Sequence, residues 1–93
     1  MPIAPSLTVT YFTAPWCLPC KQLLPKVRSI VEKVGGLLHV VDIDQQPDRA
    51  LRADIRAVPT VVIETGPERA VLAGDMATPI AVRNHLRRHF EIA

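Results

Sequence analysis

The segment Tyr11-Phe12-Thr13-Ala14-Pro15-Trp16-Cys17-Leu18-Pro19-Cys20-Lys21 constrains this chain more than any other. It holds the only two cysteines of the 93-residue sequence, with two residues between them. An apolar, β-branched run leads in and reads as a strand; a helical pattern leads out. A strand that ends at Cys-x-x-Cys and turns into a helix puts the first sulfur at a helix N-terminus. Free backbone N–H groups and the helix macrodipole favour negative charge there. The thiolate is thereby stabilised, and the thiolate is the nucleophile of thiol–disulfide exchange. Cys20 lies one turn on, on the same helical face, where it can attack a mixed disulfide formed on Cys17. The pattern predicts a dithiol catalyst, with Cys17 attacking and Cys20 resolving.

The rest of the chain limits what surrounds that dithiol. At 93 residues and 48% apolar, it can build one core, so residues 1–93 read as a single domain. The formal charge is only +2, with both signs spread along the sequence, so no nucleic-acid partner is expected. Arg83, Arg87 and Arg88 form the nearest basic cluster and read as a solvated face near a helix C-terminus. Met1 to Ser6 carries neither a basic n-region nor an apolar h-region, and no apolar run reaches membrane-spanning length. The expectation is a cytoplasmic protein with no membrane partner. Two cysteines in a reducing compartment point to redox chemistry or metal rather than a structural staple.

Element by element, residues 7–13 read as a strand. The helix after Cys17 carries Leu23, Val27, Ile30, Val31 and Val34 at helical spacing, with Gly35-Gly36 as its C-cap and Pro25 bending it. Leu37 to Ile43 is apolar on both faces, as a buried parallel strand would be. Pro47 opens a short helix to about Ala53, with Leu51 as its main core contact. Thr60 to Ile63 and Arg69 to Ala73 read as two strands joined by turn chemistry at Glu64-Thr65-Gly66-Pro67-Glu68. Thr78-Pro79 supplies an N-cap and a first-turn proline for a last helix to about Phe90. Val82, Leu86 and Phe90 form its core stripe. The order is βαβαββα. Strands separated by a helix are expected to run parallel, and the last two to form an antiparallel hairpin.

Trp16-Cys17-Leu18-Pro19-Cys20-Lys21 resembles the W-C-G-P-C-K segment of the thioredoxin family, with Leu18 in place of glycine. Pro25 matches the proline that family carries five residues after its second cysteine. Val41-Asp42-Ile43-Asp44-Gln45-Gln46-Pro47 is similar to its second core strand and following turn. Ile55-Arg56-Ala57-Val58-Pro59-Thr60 is similar to its I-R-x-[IV]-P-T segment, and Gly74 to the glycine ending its last strand. The resemblance runs from about Thr8 to the C-terminus. It implies a minimal α/β thioredoxin-like fold: a four-stranded mixed sheet flanked by three helices, two on one face and one on the other. The extra N-terminal strand and helix of full-length thioredoxins are not expected in these 93 residues.

The resemblance also implies a site. The Val58–Pro59 peptide would be cis, with the proline ring against the sulfurs. The Val58 backbone would pair with an extended substrate segment. Trp16, Leu18, Pro19, Val58 and Gly74, with Met76 at their edge, would form a shallow apolar rim round Cys17, suited to a protein partner. The implied activity is reduction of protein disulfides by a monomer, recharged by a flavin-dependent thioredoxin reductase. No cofactor and no metal are expected for it. A second reading is a glutathione-dependent glutaredoxin or an electron donor to ribonucleotide reductase, because Phe12-Thr13 with Pro15 is similar to a glutaredoxin lead-in. A third is a non-enzymatic metal-binding or scaffold module, with His85 and His89 as the candidate ligands beside the two cysteines. His39 reads as a partly buried surface residue, as do the other two. Two positions depart from the thioredoxin pattern: Tyr11 stands where the family has a buried aspartate, and Val40 where it has the paired lysine.

Overall fold

The computed structural model describes residues 7–90, and side-chain surroundings through Arg87. The elements are β1 (Leu7–Thr13), α1 (Leu18–Lys33), β2 (Leu37–Asp42), α2 (Pro47–Arg52), β3 (Thr60–Thr65), β4 (Glu68–Ala73) and α3 (Pro79–Phe90). The βαβαββα order holds. One element was not anticipated, a short 3-10 turn at Gly74–Met76.

The four strands form one mixed sheet in the order β2-β1-β3-β4. β1 runs parallel to β2 and antiparallel to β3, and β3 pairs antiparallel with β4. Period-2 alternation divides β1 between two faces. Leu7, Val9 and Tyr11 join Leu23, Val27 and Val31 of α1 and Val82 and Leu86 of α3 in one core. Phe12, on the other side, packs with Val41, Val62 and Ala50 of α2. Two helices therefore cover one face and one covers the other, as expected. Val9, Tyr11, Val27, Val82 and Leu86 are fully buried. Each such aliphatic side chain contributes about 1.5–3 kcal/mol relative to an exposed one.

Helix ends follow local chemistry. Gly35 takes φ 73°, its N–H reaches the Glu32 carbonyl, and the Gly36 N–H reaches that of Val31. This is the left-handed C-cap that glycine supplies at least steric cost. Gly36 is needed for a different reason: a Cβ there would lie 2.6 Å from Leu7 Cδ2 and 2.8 Å from Leu7 Cγ. At α3, the Ala81 N–H donates to Thr78 Oγ1 at 3.1 Å, the expected cap, with Pro79 as first helical residue. The hairpin turns through Gly66-Pro67, with Gly66 at φ 66°, and both strands reach further into the turn than the sequence suggests.

Three expectations fail. β2 is not buried on both faces. It is an edge strand, with Leu37 64% exposed, Val40 39% exposed and His39 exposed. An apolar run does not record a strand's place in the sheet, and here β2 pairs with β1 on one side while no strand among the described residues lies on its other side. Leu51 is not a core contact; it is 79% exposed, and Ala50 faces the sheet instead. In a helix of one and a half turns the buried stripe is one residue wide, and a larger apolar neighbour misdirects the reading. Finally, β3 does not run parallel to the strands before it. A six-residue helix spans about 9 Å, too little to return the chain to the far end of the sheet. The chain re-enters at the end it left, where Thr60 pairs with Phe12. Phe90, Arg88 and His89 lie outside the described side chains, so their expected places stay untested.

Candidate active site

Backbone turns build the site. β1 ends at Thr13, and the Cys17 N–H donates to the Ala14 carbonyl at 3.1 Å, closing a turn whose tip is Pro15-Trp16. Ala14 is buried, so the turn is anchored while Trp16 is thrown outward, 67% exposed. A second anchor catches it there. The Asp42 carboxylate accepts the N–H groups of Asp44 and Gln45 at 2.8 and 3.3 Å, an Asx turn at the end of β2. Asp44 then accepts the Trp16 indole N–H at 3.2 Å. The sequence reading missed Asp44. Its signal was present, since Asp-x-Asp directly after a strand is turn chemistry that presents a carboxylate.

Cys17 is the N-cap of α1, with extended backbone at φ −95° and ψ 100°. Its sulfur accepts the Cys20 N–H at 3.2 Å, one of the donors a helix start leaves without an intrahelical partner. Pro19 falls at the second helical position, where its missing N–H costs nothing. The two cysteines are joined as a disulfide with Cα atoms 5.3 Å apart. Cys20 is wholly covered, whereas Cys17 keeps 5% of its surface. Access to the sulfur pair is therefore through Cys17.

The Val58–Pro59 peptide is cis, as expected. Val58 packs against the cluster that contains both cysteines, and Pro59 itself is buried. Two bonds hold this loop. Thr60 Oγ1 donates to the Ala57 carbonyl at 2.7 Å, and the Pro59 carbonyl accepts the Gly74 N–H at 2.8 Å. Gly74, at φ 56°, opens the 3-10 turn and brings Met76 to the surface, 67% exposed. Leu18, 63% exposed, stands beside Cys17, and Ile80 on the first turn of α3 is also exposed. Of the expected rim, Trp16, Leu18, Pro19 and Met76 are exposed and Val58 and Gly74 are half-buried; Ile80 is an exposed apolar residue the sequence reading did not single out.

Behind the sulfurs, Tyr11 and Val40 are paired directly across β1 and β2. Tyr11 is fully buried, and its hydroxyl donates to the Cys20 carbonyl at 2.7 Å. Burial pushes its hydroxyl up to about 12. The proton stays on oxygen at neutral pH, pointed at the backbone rather than available to a thiol. Cys17 and Cys20 are bonded to one another and His85 sits on α3, while His89, the other histidine of the metal reading, lies outside the described side chains.

Strand, helix and cis-proline loop on a mixed sheet place a vicinal cysteine pair at a helix start, the arrangement that thiol–disulfide exchange uses. The chain belongs to the thioredoxin family, whose model matches residues 3–83. It is 39% identical over 57 residues to thioredoxin 1 of Chlorobaculum tepidum, a stretch covering 59% of this chain and 56% of that protein. It is 30% identical over 80 residues to thioredoxin 1 of a Nostoc species, covering 84% of this chain and 75% of the relative. The solved thioredoxin 1 of Thermosipho africanus superposes with a TM-score of 0.84 at 26% identity, over 90% of this chain and 94% of that one. These likenesses favour the thioredoxin reading over the glutaredoxin and metal-module alternatives. The aligned stretch spans little more than half of the Chlorobaculum relative.

Proposed function

We propose that this chain reduces disulfides in other proteins. The reduced Cys17 thiolate attacks one sulfur of a substrate disulfide, forming a mixed disulfide and releasing the other substrate sulfur as a thiolate. Cys20 then attacks Cys17 Sγ and releases the second substrate thiol. The substrate gains two electrons, and the chain is left with the Cys17–Cys20 disulfide seen here. Two electrons from a flavin-dependent thioredoxin reductase restore the dithiol. The reaction takes place in the reducing cytoplasm, with the chain acting as a monomer. No described helix is long and apolar enough to cross a membrane.

The observation that carries this reading is the difference between the two sulfurs. Cys17 caps α1 and retains exposed surface, while Cys20 has none. Only Cys17 can meet an incoming disulfide, and the helix end favours its ionised form. Trp16, Leu18, Pro19, Val58, Pro59 and Gly74 then hold an extended substrate segment, with the Val58 backbone as its strand partner.

Insulin-disulfide reduction tests the proposal, with thioredoxin reductase and NADPH compared against glutathione as electron source. Turnover is expected with the reductase. Turnover with glutathione alone would transfer the chain to the glutaredoxin reading. Cys17→Ser should abolish turnover, and Cys20→Ser should accumulate mixed disulfides. If limiting alkylation of the reduced protein labels Cys20 before Cys17, the two roles are misassigned.

A further inference from the structure

α2 covers only one end of its sheet face, and beside it lies a groove of about 430 Å³, a volume in the range of small-molecule sites. The groove is walled by Arg49 and Arg52 of α2 and by Arg69 of β4, with Thr10 of β1 in its floor. None of these residues belongs to the dithiol site. Arg49 and Arg52 are one helical turn apart and share a face. Arg69 comes from a strand distant in sequence, so three guanidinium groups from two elements border one concavity.

Two carboxylates also border it. Asp54 is already engaged, its Oδ1 3.1 Å from Arg56 Nε, a cation outside the groove. Glu64 stands opposite Arg69 in the β3–β4 register. That leaves the positive charge of Arg49 and Arg52 without a carboxylate counterpart among the described residues. Two of the three guanidinium groups are held by neutral acceptors and keep donors to spare. Arg49 Nη1 donates to Gln46 Oε1 at 3.4 Å, and Arg69 Nη2 donates to the Ala53 carbonyl at 3.3 Å. Cations in the last turn of α2 also answer its carbonyl end. That accounts for Arg49 and Arg52, and Arg69 meets the same helix end through the Ala53 carbonyl; the floor of the groove lies outside that account. Thr10 is nine-tenths buried as a residue and lines the groove; no buried side-chain polar atom among the described residues lacks a partner, so its hydroxyl opens to the groove rather than being sealed beneath it. A hydroxyl so placed can donate to or accept from a bound polar group. Beside it, Phe12 and Val62 supply an apolar wall.

We propose that this groove binds an organic phosphate: a phosphate or diphosphate group held by Arg49, Arg52 and Arg69, with a flat apolar portion against Phe12 and Val62. Guanidinium forks match phosphate oxygens in bidentate geometry. Thr10 is the hydrogen-bonding group at the floor. The site is independent of the redox reading, since none of its cations touches a sulfur.

The test is a titration of the oxidised protein, followed by amide chemical shifts, with inorganic phosphate, pyrophosphate and ADP as separate probes. ADP is expected to saturate, with shifts concentrated at Thr10, Ala53 and Val62, and to bind at least about tenfold more tightly than inorganic phosphate. Arg52→Gln and Thr10→Val should each weaken ADP by about tenfold, the loss of one good hydrogen bond, with melting behaviour and insulin reduction unchanged. Arg87→Gln, which removes a cation on α3, should leave affinity as it was. Absence of saturation at millimolar ADP overturns the proposal. So does equal weakening by Arg87→Gln, which would mean binding to net charge alone. Equal affinity for ADP and inorganic phosphate overturns the assignment to an organic phosphate.

Discussion

Tyr11 donates its hydroxyl hydrogen to the carbonyl oxygen of Cys20 at 2.7 Å, fastening the central strand to the first turn of α1. The bond is buried, and its acceptor is the backbone of the covered cysteine, Cys20. Its first consequence is a pH dependence of stability. Burial raises the Tyr11 hydroxyl from 10.0 to about 12. The unfolded chain ionises near the lower value and the folded one near the higher. The contribution is complete below the unfolded value and is lost as pH climbs through the folded one. Two units correspond to about 2–3 kcal/mol. Tyr11→Phe should cost about 1 kcal/mol near neutral pH, the worth of the bond. It should lack the alkaline loss, so the gap to wild type closes or reverses above the unfolded value. Denaturant titrations of both proteins across that range check it, and parallel curves would contradict it.

A second prediction concerns proton transfer. Tyr11 gives its hydrogen to a backbone carbonyl and holds it at neutral pH, so it does not take the Cys20 proton during resolution. Decay of the mixed disulfide should keep the same pH profile in Tyr11→Phe, measured by stopped flow. A profile that loses an inflection would make Tyr11 a participant in the proton step. Introducing the family's pair, Tyr11→Asp with Val40→Lys, should speed resolution near neutral pH. It should also lower stability by about 3 kcal/mol or more, since a fully buried aromatic ring is removed.

The Trp16–Asp44 contact gives a third. Both partners are exposed, so Asp44→Ala should change stability by less than about 1 kcal/mol. Its effect should fall on substrate binding, because the indole loses the acceptor that fixes it beside Cys17. A raised KM for insulin with little change in kcat is expected. An unchanged KM would mean that the turn at Ala14–Cys17 alone places the ring.

Two adjacent glycines should fail for different reasons. Gly36→Ala drives a Cβ into buried Leu7 and should destabilise by about 1–3 kcal/mol. Gly35→Ala meets nothing but keeps a φ of 73°, so about 1 kcal/mol is expected. In a Leu7→Ala background, itself destabilised, the cost of Gly36→Ala should shrink while that of Gly35→Ala stays the same. Chemical denaturation of wild type, the three single variants and the two double variants distinguishes the two causes.

The site was more legible than the sheet. Cys17 and Cys20 are written as a short motif whose chemistry demands those residue types, and the two are joined at the start of α1. Element order was legible for a similar reason: Gly35, Thr78 and Gly66-Pro67 punctuate the chain with local signals. Position within the sheet has no local signal. Leu37 and Val40 read as interior because they are apolar, and only the strand order reveals them at an edge. Leu51 misled because one and a half turns hold too few residues for a period to emerge. Asp44 and Tyr11 took their partners across 28 and 9 residues, and pairings of that kind come from the fold rather than the string.

The sulfur proposed to react is also the atom that begins a helix. Cys17 Sγ accepts the Cys20 N–H, so α1 starts on a group whose charge differs between the disulfide and the thiolate. A thiolate accepts that bond more strongly than a disulfide sulfur does. Folding and reduction are therefore two sides of one closed thermodynamic square. Whatever extra free energy the reduced chain gains at its helix start must reappear, with opposite sign, as a weaker tendency to give electrons away. A substitution near Cys17 that firms or loosens this first turn in one redox state alone will shift the electron affinity of the dithiol by the same amount, without touching either cysteine.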